Sequence, residues 1–429
     1  MTSHSHSLTF RGRLVLAAVA GVAGSVLIAG CGIGGTATST GTISAAAMGG
    51  KLYGGPNPIS GATIKLYVTG NADGTNGGYG VAHMVQEANQ VGASAGQDTG
   101  ADGAFQFAGG YSCPAGQFLY VVGTGGDTGS GFNSKAALVA ALGRCEDLFT
   151  AGQCTGGFIF MNERTTVATA YALGSFSAVT GTGAAAVVSI GAPDANNASV
   201  GCVANGSTCA TTKAAGLRHA FLNAANLVNP FTVDGASSLP GTPLARVPLQ
   251  LINSIANSLV ACVNSNGTSA SCTAIFASTQ TATTGNIFQV AVNLAKNPTL
   301  AGSGHTTPDF FNAATPQTSF YQPTLTVAPH DYSVAIIYAS TFGKTTGVQG
   351  FTYPYSAALD INDNVYIGNY NSSAKTKYNV ASLTSNGTLV SFTPDNTVDP
   401  TASAAAVDSI GNLFVLGSPT GTSGTAIAR

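Results

Sequence analysis

The chain has 429 residues, which is enough for two or three domains that each bury a core. Only 7% of the residues are charged and the formal net charge is −2, so the chain lacks the basic surface on which nucleic-acid binding depends. With 56 glycines and so few charges, the composition is typical of a neutral, exported surface.

An export signal is predicted at residues 1–30. Two arginines precede an apolar run at 14–28, which is shorter than the roughly 20 residues that a membrane-spanning helix needs. The run ends in Ile-Ala-Gly-Cys at 28–31, which resembles the lipobox of bacterial lipoproteins. The resemblance implies that the thiol of Cys31 carries a diacylglyceryl group, and two acyl chains anchor firmly where a single one holds only weakly. A plain secretory signal with an incidental cysteine is the alternative.

Position 32 bears on which membrane the anchor enters. In the lipoprotein family an aspartate after the lipidated cysteine favours the inner membrane, whereas this chain has Gly32. The resemblance therefore implies the outer membrane, if the cell has one. We expect residues 31–47, which are small and polar, to form a flexible tether.

Disulfides are expected, because exported proteins reach an oxidising compartment. Cys202 with Cys209 and Cys262 with Cys272 each enclose an Asn-Gly turn dipeptide, which would bring the two sulfurs together.

Cys145 has two possible partners. It could bond locally to Cys154 or reach back to Cys113, and we favour Cys154 slightly. The cysteine spacings are not those of paired CxxC knuckles, and no histidine lies within four residues of a cysteine, so we predict no metal site and no cofactor.

Residues 48–128 are predicted to form a small antiparallel β-sandwich. Ala62, Ile64 and Leu66 alternate with polar residues, and further strands are expected at 104–107 and 119–122. The segments from Gly50 to Ile64 and from Thr99 to Phe105 resemble the carboxypeptidase regulatory-like, transthyretin-like modules of exported bacterial proteins. In that family the module is a spacer or a binding accessory. A polar insertion at 69–97 departs from the pattern and is expected to be an excursion between strands.

Residues 129–300 are predicted to form an Ala-rich helical domain with disulfides, because the apolar period lengthens towards 3.6. The segments at 162–168 and 259–276 resemble the helical middle region of bacterial lipoproteins that carry NHL repeats. The expected helices are 135–143, 163–173 after Asn162, 217–228, one from Pro248 to residue 263, and 286–295.

Residues 301–343 are predicted to connect this domain, with one strand at 333–338, to repeats at 344–429. Residues 358–367 align with 406–415 at a spacing of 48, which is the length of one propeller blade, and the shared pattern resembles NHL repeats. About one and a half blades are present, whereas propellers close with roughly four to eight. A truncated version of a longer protein is our preferred interpretation, and a small sheet resting on the preceding domain is the alternative.

No catalytic residue is predicted. His330-Asp331 is interpreted as a turn, and Glu163, a carboxylate favoured by the first turn of a helix, is interpreted as a helix-capping residue. Asp360, Asn362 and Asp363 resemble the opening of a calcium loop, but no glutamate follows at the twelfth position, so a turn is the better interpretation.

The predicted fold class is multidomain α+β, with a β-sandwich, a helical domain and incomplete propeller-type repeats. We expect a membrane-anchored surface lipoprotein with a nonenzymatic binding or scaffolding role, whose partners are the membrane and an envelope protein or glycan. A propeller-type hydrolase or lactonase, truncated here, is one alternative. A structural envelope or adhesion component is the other.

Overall fold

The computed structural model describes residues 42–45, 47–69, 83–87, 89–90, 99–114, 117–149, 157–191, 212–232, 245–314, 320–338, 354–360, 364–369, 380–384, 389–392, 404–408, 411–417 and 426–428. The predictions for the export signal and for Cys31, Cys154, Cys202, Cys209, Asn362 and Asp363 lie outside these residues.

The described chain combines helices with mainly antiparallel sheets, which agrees with the predicted α+β class. The strands are β1 (Thr42–Ser44), β2 (Met48–Gly54), β3 (Asn57–Pro58), β4 (Thr63–Val68), β5 (His83–Glu87), β6 (Asn89–Gln90), β7 (Ala104–Phe107), β8 (Ser112–Pro114), β9 (Phe118–Thr124), β10 (Ala137–Arg144), β11 (Phe158–Met161), β12 (Ser177–Thr180), β13 (Val187–Ile190), β14 (Ala245–Arg246), β15 (Ile337–Tyr338), β16 (Pro354–Leu359), β17 (Val365–Asn369), β18 (Val380–Leu383), β19 (Leu389–Phe392), β20 (Ala404–Val407), β21 (Leu413–Gly417) and β22 (Ala426–Ala428). The helices are α1 (Cys145–Leu148), α2 (Glu163–Leu173), α3 (Thr212–Leu227), α4 (Leu249–Val263), α5 (Ala270–Ser278), α6 (Ile287–Lys296) and α7 (Thr307–Asn312), with 3-10 turns at Gly174–Phe176 and Gly183–Ala185.

Two sheets form the predicted sandwich. One has the strand order β10-β9-β4-β5 and the other β11-β2-β7-β6. Ile64 and Leu66 are buried on β4, and a Cβ added to Gly123 of β9 would lie 3.1 Å from Leu52 of β2, so the sheets face each other across a close-packed core. The strands expected from alternation are therefore confirmed, and the polar insertion supplies β5 and β6 to the two sheets.

The helix expected at 135–143 is wrong, because this segment is the strand β10, paired antiparallel with β9. All eight residues of β10 are buried, so its sequence shows none of the alternation that identifies a half-exposed strand. β11 was not expected either, and it pairs parallel with β2. The sandwich sheets thus continue past residue 128. At the other end, β1 pairs with β8, so residues 42–44 are not part of a free tether.

Four of the five predicted helices are confirmed as α2, α3, α4 and α6. Asn162 caps α2, since its side chain accepts from the backbone N–H groups of Arg164 and Thr165. The expected stripe of α3, including Leu217 and Phe221, is buried. These helices share one continuous apolar core with the sandwich.

Helix α2 covers the outer edge of β10 with two threonines. The hydroxyl of Thr166 accepts from the N–H of Val139 at 3.0 Å, and the hydroxyl of Thr169 accepts from the N–H of Ala141 at 3.2 Å. Each hydroxyl also donates to the carbonyl four residues earlier, that of Asn162 or Thr165, at 2.8 Å in both cases. An edge strand that would otherwise present unpaired amides is closed by side chains.

Two disulfides lie in the described residues. Cys262 is bonded to Cys272, as predicted. Cys145 is bonded to Cys113, with the Cα atoms 5.6 Å apart, so the preference for Cys154 is wrong. The reason is the unexpected strand: pairing of β10 with β9 places Arg144 opposite Phe118, which brings Cys145 beside the residues that precede β9.

The 48-residue repeat appears as two sheets. The first has the order β16-β17-β18-β19 and the second β20-β21-β22, all antiparallel. We call residues 354–392 the first unit and 404–428 the second unit. The same hydrogen bonds follow the first strand in both units: Asp360 and Asp408 each accept from the backbone and side-chain nitrogens of an asparagine four residues later.

In the connecting segment, the expected strand at 333–338 is limited to β15, which pairs with β14. The segment also contains α7, which was not predicted.

Candidate functional site

The most unusual site in the described chain is a buried carboxyl at the start of α2. Glu163 is 0% exposed, and its Oε2 accepts from the backbone N–H of Gly55 at 3.0 Å and from the hydroxyl of Tyr321 at 2.8 Å. These partners are 108 and 158 residues away in the sequence. One carboxyl therefore joins the turn after β2, the first residue of α2 and the connecting segment.

Glu163 does not cap its own helix. Asn162 and Thr165 form that cap, in which each side chain bonds the backbone of the other residue. Glu163 is in the first turn of α2 as expected, but its interpretation as a helix-capping residue is wrong, because the oxygen that makes hydrogen bonds contacts distant segments. The carboxyl of Glu163 is therefore free to bond distant segments, and we call its contacts with Gly55 and Tyr321 the Glu163 joint.

Burial raises the pKa of Glu163 to about 7, while the hydrogen bonds from Gly55 and Tyr321 oppose the rise. Its second oxygen, Oε1, has no hydrogen-bond partner among the described residues. A carboxylate needs several donors to replace lost water, and here only one oxygen is satisfied. The carboxyl of Glu163 therefore stays protonated at pH values well above the ordinary pKa of a glutamate.

Tyr321 is held in place by α4. Its backbone N–H donates to Oδ1 of Asn257 and its carbonyl accepts from Nδ2 of the same side chain, both at 3.0 Å. Asn253, one turn earlier, donates to the carbonyl of Pro323, and Ser254 accepts from the N–H of Leu325. Polar side chains on one face of α4 thus hydrogen-bond the backbone of residues 321–325, which has no regular secondary structure. These bonds hold the Tyr321 hydroxyl in position to donate to Glu163.

Arg164, the residue that follows Glu163 in the sequence, brings a positive charge next to Tyr321. Its guanidinium carbon lies 5.6 Å from the centre of the Tyr321 ring, in cation–π geometry, and the residue is 8% exposed. Burial raises the pKa of the Tyr321 hydroxyl well above its usual range, so this group is a hydrogen-bond donor at any physiological pH.

The turn at Gly54 and Gly55 permits the close approach. Gly55 has φ of +55°, and a Cβ there would lie 2.9 Å from Val260 of α4. A Cβ on Gly54 would lie 2.7 Å from Val263 and 2.8 Å from Oδ1 of Asn264. Glycine is needed at both positions for the turn to reach Glu163 past the end of α4.

The other residues singled out from the sequence do not join this site. Asp331 accepts from the N–H of Ser333 at 2.6 Å and both His330 and Asp331 are exposed, as expected for a turn. Both oxygens of Asp360 are used by Asn364, and Oδ2 also accepts from Tyr366 at 3.2 Å. Asp360 is thus engaged in hydrogen bonds within its own segment, while Asn362 and Asp363 lie outside the described residues.

Within the described residues, no three His, Cys, Asp or Glu side chains are placed to hold a metal ion. The helices of the same part of the chain are all too short or too polar to cross a membrane.

The comparisons with known proteins give no match: no protein-family model, curated protein or solved structure matches the chain. The resemblances to the carboxypeptidase regulatory-like module and to NHL-repeat lipoproteins therefore stay predictions.

Sequence reasoning identified Glu163 but missed both of its partners. Gly54 and Gly55 carried one available signal, since paired glycines after a strand mark a close approach of the backbone. Tyr321 carried none, because its role depends on the fold of α4 around an irregular segment.

Proposed function

We propose that the chain is a lipid-anchored envelope protein with a binding or scaffolding role, in which the sandwich and helices form a rigid support for the repeat units. The observation that carries the proposal is the Glu163 joint. The most strongly perturbed carboxyl in the described residues is sealed from solvent and has one oxygen committed to two distant segments. A reactant could not reach it without opening the fold, so it suits a structural role.

The Glu163 joint also restrains the segment that leads towards the repeats. Tyr321 belongs to this segment, and β15, at its end, pairs with β14 of the body, by which we mean the sandwich and helices together. The chain is thus fastened to the body at two places before the first unit begins. This arrangement suits a rigid support for the segment that precedes the repeats.

The buried disulfides support an exported location. Cys113, Cys145, Cys262 and Cys272 are all 0% exposed and joined in two pairs, and such bonds persist in oxidising compartments outside the cytoplasm. Together with the lipobox at 28–31, this favours lipid attachment at Cys31.

The anchor is tested by fractionating cells that express the protein or its Cys31→Ala variant. We expect the wild-type protein in the detergent-soluble membrane fraction with an acylated Cys31, detected by intact-mass measurement, and the variant in the soluble fraction. Ser39→Ala, which changes the tether and leaves Cys31 intact, is the matched control and should stay with the membrane. A variant that remained membrane-bound with its signal removed would contradict lipid anchoring.

The nonenzymatic part is tested with the purified mature protein. Incubation with a panel of lactones and esters, with and without added divalent cations, should show no hydrolysis above that of buffer. Turnover that is lost on chelation would contradict the proposal and favour a hydrolase. Cross-linking on intact cells should instead recover a defined envelope partner, and its absence would contradict a binding role.

A further inference from the structure

Three polar side chains of α4 hydrogen-bond the backbone of residues 321–325, which we call the resident segment. We call these side chains the ladder, and they belong to Asn253, Ser254 and Asn257. The ladder contacts every second residue of the resident segment, at positions 321, 323 and 325. These bonds join main-chain N–H and carbonyl groups, so they do not depend on the side chains of the segment that makes them.

Asn257 makes the complete contact of the ladder. Its Oδ1 accepts from the N–H of Tyr321 and its Nδ2 donates to the carbonyl of the same residue, both at 3.0 Å. One amide side chain thereby pairs with both polar backbone groups of one residue, as an antiparallel strand partner does. Asn257 shows what a fully satisfied position of the ladder consists of.

Asn253, one turn earlier on α4, makes only half of this contact. Its Nδ2 donates to the carbonyl of Pro323 at 2.9 Å, but a proline has no N–H to donate in return. Oδ1 of Asn253 has no hydrogen-bond partner among the described residues, although the residue is 0% exposed. The ladder therefore contains a buried acceptor that the resident segment leaves unpaired, and an unpaired acceptor weakens the contact.

The resident segment lies at the surface and is held by few side chains. Tyr321 is buried, whereas Gln322 and Pro323 are exposed and Thr324 and Leu325 are half-buried. Apart from Tyr321, the segment thus adds little apolar area to the core. Its attachment depends on the ladder and on one aromatic side chain.

We propose that the ladder is a binding site for a polypeptide segment of another protein, which replaces residues 321–325 and donates an N–H to Oδ1 of Asn253. The incoming segment has a tyrosine at the position of Tyr321 and a residue other than proline two positions later. A second copy of this chain is a poorer occupant, because its segment carries the same proline and gains nothing over the resident one.

The proposal rests on the binding role proposed above and names its class of partner. It requires no lipid anchor, so a protein that proved to be unlipidated at Cys31 could still bind such a segment. The pairing of β15 with β14 does not involve the ladder, so the chain stays attached to the body when the resident segment is replaced.

Replacement is favourable only for a segment that binds better than the resident one. One additional hydrogen bond favours the incoming segment about tenfold. The resident segment has an effective concentration on the order of 1 mM, because it belongs to the same chain. The incoming segment should therefore occupy half of the ladders at about 0.1 mM.

The first test is the fluorescence anisotropy of a labelled, capped peptide of residues 320–327 that carries Pro323→Ala. Titration with the mature protein in detergent should give saturable binding with half-occupancy at about 0.1 mM, and the peptide of native sequence should bind about tenfold more weakly. Equal affinities for the two peptides, or no binding of either up to about 1 mM, would overturn the proposal.

The second test weakens the resident segment in the protein and leaves the ladder intact. Tyr321→Ala removes the buried ring that the peptide supplies, so the peptide should bind this variant about tenfold more tightly than the wild type. Val327→Ala, at a residue 72% exposed and outside the resident segment, is the control and should keep the wild-type affinity. Unchanged affinity in Tyr321→Ala would place the peptide elsewhere and overturn the assignment. If Tyr321→Ala lacks the wild-type circular dichroism spectrum, Tyr321→Phe, which loses the hydroxyl bond to Glu163, makes the same comparison with a smaller gain.

The third test assigns the preference against proline to Asn253, in the Tyr321→Ala background. Asn253→Leu keeps the branched shape of the side chain and removes the unpaired acceptor, so the peptides with and without Pro323→Ala should bind it equally. Ser254→Ala removes the acceptor for the N–H of Leu325 and should keep the tenfold preference, because both peptides lose the same bond. A tenfold preference that survived in Asn253→Leu would overturn the role of this residue.

Discussion

Glu163 joins the turn after β2, the start of α2 and the segment around Tyr321, and its burial makes the free energy of unfolding depend on pH. The carboxyl accepts two hydrogen bonds through one oxygen and none through the other in the described structure, so its neutral form suits the site best. A neutral carboxyl can still accept from Gly55 and Tyr321, whereas an ionised one is a buried charge with too few donors.

The stability of the protein should therefore fall as the pH rises from about 5 to 8. The pKa of Glu163 is about 7 in the folded state and 4.5 in its ordinary range, so between these values the unfolded chain ionises while the folded chain stays protonated. The contribution is fully present below pH 4.5 and lost above pH 7. The loss is on the order of 3 kcal/mol.

This prediction is checked by urea denaturation of the wild type and of Glu163→Gln at pH 5 and pH 8. The glutamine does not titrate, so the variant should lack this part of the fall in unfolding free energy. Asp102→Asn removes an exposed carboxyl that pairs with Lys51 and whose pKa is lowered chiefly by a hydrogen bond from the backbone of Ala104, so it should keep the wild-type pH dependence. Equal slopes for the wild type and Glu163→Gln would contradict the assignment.

At the scale of elements, sequence patterns predicted the longer helices and the half-exposed strands, but not the fully buried strand β10. Asn162 was recognisable as an N-cap because a capping residue precedes a helical period, whereas Asn286 was expected as the first residue of its helix and is in fact the N-cap. The same use of periodicity mispredicted β10 as a helix. Val139 and Leu142, with Ala136 before them, fit one helical face, and burial of the strand on all sides removes the alternation that identifies a strand. Only pairing with β9, which is a tertiary contact, decides between these readings.

The threonine pair on α2 explains how β10 tolerates an open edge. Replacing both Thr166 and Thr169 with valine keeps their shape and leaves the buried N–H groups of Val139 and Ala141 without acceptors. Each unsatisfied group costs roughly 1–3 kcal/mol, so the double variant should lose roughly 2–6 kcal/mol of unfolding free energy.

The control for this prediction is the double serine variant, which keeps both hydroxyls and loses two methyl groups. Urea denaturation should show a smaller loss for serine than for valine, even though serine removes more apolar surface. Should valine prove as stable as serine, the edge of β10 would not depend on these hydroxyls.

At the scale of the whole molecule, the described chain has two separate apolar cores. One joins the sandwich to the helices, and the other lies between the two repeat units. The repeat spacing was readable from the sequence because both units use the same Asp-to-Asn turn, at Asp360 and at Asp408. The continuity of sandwich and helices was not, since it rests on β10 and β11 entering sheets whose other strands lie earlier in the chain.

Separate cores of such different size should unfold in two steps. Among the described residues, the core between the repeat units is a cluster of three buried apolar residues, Val380, Leu413 and Val415, and stability follows the apolar area removed from water. Calorimetry of the mature protein should therefore show the repeat units melting first and the larger body second. Two matched substitutions assign the transitions: Val415→Ala should lower only the first, and Val290→Ala, at a residue 0% exposed in the larger core, only the second. Each removes two methyl groups' worth of contacts from one core and costs about 1–3 kcal/mol there. A single transition that both substitutions shift equally would mean that the two cores unfold as one cooperative unit.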